Sequence, residues 1–301
     1  MAGGVGAARL LAGLILVHPP DQLTAIVNVG DDVELHGLHI SPDLDTVTYT
    51  LAGAIDPDRG WGLAGETWQA MEALRRYPSA RAWFSLGDRD LATHLYRTDR
   101  LRAGATLSTV TAEIVRAWEL DLRLIPVTDG QLRTRLTTAD GELDFQEYFV
   151  EHRHDVAVSA VRFTGAEQTT PAPGVLEAIE GAVRVVIAPS NPIVSIAPVL
   201  AVPGVRAAVE ARREDVVAVS PIVAGAALKG PADRLLRELG HESTVVGVAR
   251  IYAPLAGTLV IDHADAGLAA EVEATGVRCV VGPTVMRGPE EAAALARLVL
   301  R

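Results

Sequence analysis

The sequence has one cysteine, Cys279, and one lysine, Lys229. A single thiol excludes any disulfide within the chain and suits a reducing cytoplasm. No apolar run approaches the roughly 18–20 residues that span a bilayer. The longest candidate, VVAVSPIVAGAAL, is interrupted by Ser220 and Pro221. The N-terminus lacks the charged and apolar regions of a signal peptide. Positive charge is also short: 27 basic against 38 acidic residues leave a net charge of -11. That balance argues against binding nucleic-acid backbones. It does not exclude a nucleotide, whose phosphates are held by backbone amides and metal ions. The expectation is a cytoplasmic protein with neither nucleic acid nor membrane as a partner.

What is present is core-forming material. Hydrophobic residues make up 49% of 301 residues, which suits one large α/β domain over 1–301. Short β-branched runs alternate with longer amphipathic ones. QLTAIVNV, ARAWFSL, LRLIPV, VAVSAVRF, AVRVVIA, DVVAVS, GTLVID and VRCVVG read as strands. Helical patterns lie between them, from GAARLLAGLIL to PEEAAALARLVL. Strands that are apolar throughout are buried on both faces, so a layered sheet with helices on both sides is predicted. The stretch from about 130 to 165 differs: two strands flank an Asp140-Gly141 turn, the signature of an inserted β-hairpin.

The glycine loop AGGVGAARLL opens the chain with Gly3, Gly4 and Gly6 at the mouth of a helix, a place suited to an anion. Such a loop normally follows a strand, so an upstream strand is expected to be missing from this chain. Arg9 stands where a dinucleotide fingerprint has its third glycine, which weakens an NAD reading. NVGDD then places Asn28, Asp31 and Asp32 at a strand's carboxyl end, where open α/β sheets bind ligands. In ISPDLDTVTYT, Ser41 is a natural N-cap, Pro42 a first helical residue and Asp43 a first-turn acid. Asp43 and Asp45 are about 200° apart around a helix axis, so one ion is not gripped by both in regular geometry. Asp45 is the stronger functional candidate. In LGDRDLATHLYR, Asp88 is placed to cap the next helix, and Asp90, His94 and Arg97 share one face. Ser190, Asn191 and Ser220 follow apolar strands with side chains suited to phosphate or base recognition. Lys229, in AALKGPADR, reads either as an ordinary surface cation in an arginine-rich chain or as a functional one.

Taken together, GGVGAARL, NVGDD, ISPDLDTVTYTLAG, WGLAGET, SLGDRDLATH, APSNPIVSI and AVSPIVAGAALKGPA resemble the 2-phospho-L-lactate transferase family of coenzyme F420 biosynthesis. The resemblance implies a three-layer α/β/α sandwich with a Rossmann-like, mostly parallel sheet, usually a homodimer. It implies transfer of a phosphoenolpyruvyl or 2-phospho-L-lactyl group from a diphosphoguanosine donor to 7,8-didemethyl-8-hydroxy-5-deazariboflavin, with GMP released and Mg2+ required. The composition leans towards the actinobacterial, enolpyruvyl type. The resemblance implies that Gly3, Gly4 and Gly6 face the donor phosphates and that Asp88 and Arg89 bind deazaflavin or donor. It further implies that Ser190 and Asn191 hold the guanosine end and that Asn28 meets either substrate. On the same resemblance Asp45 is expected to contact the metal or the ribityl chain and to accept the hydroxyl proton, with Asp31, Asp32 and Asp43 as further metal candidates. A nucleotide-sugar-binding regulator of the gluconeogenesis-factor family, without transferase activity, is the alternative.

Overall fold

The structure, a computed structural model, describes residues 1–78 and 80–301. Its strands are β1 (Thr24–Val27), β2 (Val33–Leu35), β3 (Leu38–Ile40), β4 (Arg123–Pro126), β5 (Arg133–Thr138), β6 (Gly141–Asp144), β7 (Ala160–Thr164), β8 (Val185–Ile187), β9 (Val216–Val219), β10 (Ile222–Val223), β11 (Ala226–Ala227), β12 (Thr258–Asp262) and β13 (Arg278–Gly282). The helices are α1 (Gly4–Val17), α2 (Pro42–Leu51), α3 (Gln69–Leu74), α4 (Asp90–Arg102), α5 (Leu107–Ala117), α6 (Val175–Gly181), α7 (Ala197–Ala201), α8 (Val205–Ala211), α9 (Ala232–Glu238), α10 (Val245–Tyr252), α11 (Ala269–Glu273) and α12 (Pro289–Val299).

Two parallel groups, β4-β1 and β8-β9-β12-β13, form the main sheet. They meet across the first two residues. The Ala2 amide donates to Ile26 O (2.9 Å) and Asn28 N donates to Ala2 O (3.0 Å). On the other side Ala188 N donates to Met1 O (3.1 Å), and the terminal ammonium donates to Val186 O at 2.7 Å. Met1 and Ala2 thus lie between the two groups and bond to both, Ala2 in parallel with Val27. Every residue of β9 and β12 is buried, so both faces of the sheet are covered by helices, the α/β architecture that the apolar strands predict.

The hairpin region is a separate antiparallel sheet of order β6-β5-β7. It turns at Gly141, whose φ of +128° suits glycine. Two predicted elements differ. ARAWFSL forms no strand; Trp83, Phe84 and Leu86 pack instead on Leu35, Ile40 and Met71 in a small satellite core. The helical pattern GETWQAMEALRRY forms a helix only over α3. The β2–β3 hairpin and α10 were not read from the sequence, β2 and β3 because three-residue strands carry too little periodicity.

Helix α1 is apolar on most sides and ends ahead of Pro19, as the residue before a proline leaves helical geometry. It lies hard against α12: a Cβ at Gly13 would sit 2.2 Å from Ala292 O. Substituting Gly13→Ala is expected to cost about 1–3 kcal/mol by overpacking. Urea denaturation measures it; an unchanged midpoint would mean that the two helices separate without penalty.

Candidate active site

A cleft of about 720 Å³ opens at the carboxyl ends of the main-sheet strands, where α/β sheets place ligands. The first turns of α1 and α2 form its floor. The loops after β8, β9 and β13 and part of the hairpin region line its sides. Gly3, Gly4, Gly6, Asp31, Asp43, Asp45, Ser190 and Asn191 all line it. Asn28, Asp32, Asp88 and Arg89 do not.

Two of the glycines have local reasons. Gly4 begins α1 at φ +72°, a left-handed conformation. A Cβ at Gly6 would lie 2.3 Å from Pro189 O, so glycine allows the loop after β8 to close on α1. Ser41 N-caps α2 without a side-chain capping bond; its hydroxyl donates to Asp32 Oδ2 at 2.7 Å. Asp43 reaches away from its own helix. It accepts from Gly4 N (2.7 Å) and from Asn28 Nδ2 (3.0 Å). Asn28 accepts Gly30 N through its Oδ1 (2.8 Å), so it positions Asp43 from behind the cleft.

Asp31 sits beside Asp43, and both are buried. Burial, with the neighbouring Asp43 charge next, pushes the Asp31 carboxyl well above the usual carboxylate range. Burial likewise raises Asp43 to about 6, although the Asn28 and Gly4 hydrogen bonds oppose it. Asp31 Oδ1 is buried without a hydrogen-bond partner. The hairpin sheet fixes this loop: Gln146 Nε2 donates to Asp31 O (3.1 Å) and Arg133 Nη1 to Asp32 O (2.7 Å). Asp32 Oδ2 is already engaged by Ser41 and by His39 Nε2 (3.0 Å).

Asp45 belongs to a different group, as the helical offset from Asp43 predicts. Arg97 grips it with both terminal nitrogens, Nη1 at 3.1 Å from Oδ2 and Nη2 on Oδ1. Arg97 is 1% exposed. Burial raises the Asp45 carboxyl, and the Arg97 charge is the largest opposing influence. His94 Nδ1 lies 3.7 Å from Asp45 Oδ2, and its Nε2 lies 3.2 Å from Asp90 Oδ2. The Tyr49 hydroxyl donates to Asp90 Oδ1 at 2.6 Å. Burial together with the Asp45 and Asp90 charges raises the Tyr49 hydroxyl, so it stays protonated. Asp45, Asp90 and His94 present ligand atoms within 4.8 Å of one another, a spacing compatible with a divalent metal.

At the other end of the cleft, the Ser190 hydroxyl donates to Gly3 O (2.7 Å) and accepts from Gly3 N (3.3 Å). Asn191 uses its Oδ1 to accept Ile193 N (2.9 Å), which leaves Nδ2 a buried donor without a partner. Asp88 caps α3 rather than the helix that follows it, accepting from Gln69 N (2.9 Å) and Ala70 N (3.0 Å). Glu66 returns the favour to α4, accepting from Arg89 N and Asp90 N, each at 2.9 Å. Arg89 Nη1 donates to Ala64 O. The LGDRD stretch thus clasps the strap over residues 54–68, which carries Trp61 onto the cleft.

Several lining residues escaped the sequence reading: Trp61, Phe84, Phe145, Phe149 and the run Thr284–Arg287. The last was accessible to the strand-end rule, because GPTVMRG follows β13. The buried Arg97–Asp45 pair yields a test. Arg97→Met strands a buried carboxylate and is expected to cost about 3–5 kcal/mol. The double variant Asp45→Asn, Arg97→Met is expected to regain part of that loss in denaturant titrations. No recovery would mean that charge pairing is not what Arg97 contributes.

Comparison with known proteins bears on what this geometry serves. The profile of the family described as 2-phospho-L-lactate transferase CofD matches residues 1–279. A Streptomyces griseus protein named phosphoenolpyruvate transferase is 47% identical over 305 residues, covering 100% of this chain and 96% of its own length. Namesakes from Nocardia farcinica and Mycolicibacterium smegmatis are each 44% identical, covering 100% and 99% of this chain and 92% and 95% of their own lengths. Among solved structures, a Bacillus halodurans protein of the UPF0052 family superposes with a TM-score of 0.62 at 17% identity, covering 99% of this chain and 97% of its own. That likeness speaks for the fold alone. Matched along nearly its whole length, the chain belongs to the 2-phospho-L-lactate transferase CofD family, the transferases of coenzyme F420 biosynthesis.

Proposed function

We propose that the cleft transfers a phosphoenolpyruvyl group from a diphosphoguanosine donor to 7,8-didemethyl-8-hydroxy-5-deazariboflavin, releasing GMP. The observation that carries the reading is the meeting of the α1 glycine turn with Asp31, Asp43 and Asp45 in one cleft. The relatives' shared name, phosphoenolpyruvate transferase, favours the enolpyruvyl acid over lactate. Their identity over whole chains favours a transferase over a nucleotide-sugar-binding regulator.

In this reading the first-turn amides of α1 face the donor diphosphate. Ser190 and the free Asn191 amide hold the guanosine end. Ile40, Tyr49, Trp61 and Phe84 offer apolar walls to the deazaflavin ring. Asp88 and Arg89 act on substrate binding through the strap they clasp, and Asn28 through Asp43. Arg97 fixes Asp45 so that its remaining lone pairs meet the ribityl hydroxyl and take its proton. The hydroxyl oxygen bonds to the phosphorus that carries the acid. The bond from that phosphorus to the bridging oxygen breaks, and GMP leaves with that oxygen.

The donor set fits Mg2+, a hard ion that commonly takes one or two carboxylates plus substrate phosphates. Asp31 and Asp43 would hold it: both are buried, both resist ionisation, and no basic side chain compensates them. Asp45 is a poorer ligand because the Arg97 guanidinium already occupies it, and Asp32 is engaged by Ser41 and His39. When bound, the ion supplies positive charge to the phosphoryl oxygens as charge develops there. We place the enzyme in the reducing cytoplasm, on its single cysteine, and as a homodimer, on the family's habit. No helix among the described residues is long and apolar enough to cross a membrane.

Asp31→Asn is expected to remove most of the thermal stabilisation that Mg2+ with GDP confers, a scanning-fluorimetry measurement. Asp45→Asn is expected to keep that shift yet lower transfer by about 10²–10⁴-fold. If Asp90→Asn abolishes the shift instead, the ion belongs to the Asp45, Asp90 and His94 group.

A further inference from the structure

Four basic side chains reach the cleft: Arg9, Arg59, Lys229 and Arg287. Arg9 donates to Met286 O at 3.0 Å. Arg59 is paired with Asp56 (3.0 Å) and donates to Leu63 O (3.0 Å). Its guanidinium also lies 5.4 and 5.3 Å from the ring centres of Trp61 and Trp68, within cation–π range of both. Arg9, Arg287 and Lys229, the only lysine in the chain, have no carboxylate partner among the described residues, and the one polar contact of Lys229 is the Arg59 carbonyl at 3.5 Å. That is the outer limit of a hydrogen bond.

Its position is nevertheless defined. A Cβ at Gly60 would lie 2.8 Å from Lys229 Nζ and 3.7 Å from Val5 Cγ1. The ammonium, the strap and the first turn of α1 therefore meet at one point. Gly60 itself has a φ of +74°, and the stacked Arg59 beside it holds the strap in place. The lysine charge thus stands over the helix turn that faces the donor, without a carboxylate partner among the described residues.

A ligand in the cleft is placed to supply that counter-ion. In the proposed function, on which this inference rests, the α1 amides and the ion at Asp31 and Asp43 serve the phosphates. The transferred acid has one further anion, a carboxylate on the carbon that bears the phosphate ester oxygen. We infer that Lys229 binds this carboxylate and selects for an acid in the transferred group. A compact ammonium on a flexible stem suits a single carboxylate.

The test compares two stable probes, 2-phospholactate and isopropyl phosphate, which differ by carboxylate against methyl. Each is titrated calorimetrically into the full-length protein with Mg2+ and GMP present. The wild type is expected to favour the acid by about tenfold or more, as a charge-assisted contact allows. Lys229→Met is expected to erase that preference while its affinity for isopropyl phosphate stays as it was, and Lys229→Arg to restore most of it. Lys229 is exposed, so these variants are expected to fold. The inference is overturned if the wild type does not favour the acid, if the preference survives in Lys229→Met, or if both probes weaken together. A wild type that shows the lysine-dependent preference but transfers nothing to deazaflavin would refute the transferase reading and leave the carboxylate subsite standing.

Discussion

The hydrogen bond from the Gly4 amide to Asp43 joins the two helices on whose first turns the site is built. It turns a residue of the α2 N-terminus into a cap for α1, and so brings the glycine turn and the aspartate stretch to one cleft. The geometry has a cost in solvation. A carboxylate that leaves water needs hydrogen bonds or charge in return, and Asn28 supplies one such bond. Asp31, next to it, is left with an unpartnered oxygen. The result is a pair of buried carboxyl groups, both held above the usual carboxylate range, at the end of a helix that favours anions.

The crowded aspartates divide by partner. Among the described residues Asp31 and Asp43 have no cationic partner, whereas Asp45 is matched by Arg97 from α4. The division follows from helix geometry, because Asp43 and Asp45 leave α2 on different sides. In the proposed function this lets neighbouring residues of one turn do different work: one side would offer a site for a metal ion, and the other would hold a carboxylate for a hydroxyl. Around them the clasp of Glu66 on α4 and Asp88 on α3 sets the strap that bears Arg59 and Trp61. Asp88, which reads like a substrate ligand in the sequence, thus lies outside the cleft lining and holds the loop that reaches it.

Some of this was legible in the sequence. Apolar strand runs predicted the buried parallel sheet, and an Asp-Gly turn predicted the hairpin, since these signals are local and periodic. The motif order pointed to the family. The rule that open sheets bind ligands at their carboxyl ends pointed to Asn28, Asp31 and Asp32, of which Asp31 lines the cleft; the glycine loop, Asp45, Ser190 and Asn191, read from helix-terminus and side-chain chemistry, line it as well. By itself the sequence determined the class of fold, its direction and the neighbourhood of the site. Only the tertiary structure decided which aspartate meets which partner. Arg97 lies 52 positions from Asp45, and Gly3 and Ser190 are 187 apart, distances over which no local pattern operates. The place of Met1 and Ala2 between the two strand groups, and the lysine without a carboxylate partner among the described residues, were decided in the same way. Both depend on which distant segments pack together, and hydrogen bonds and charges act only between groups that the fold has already brought within reach.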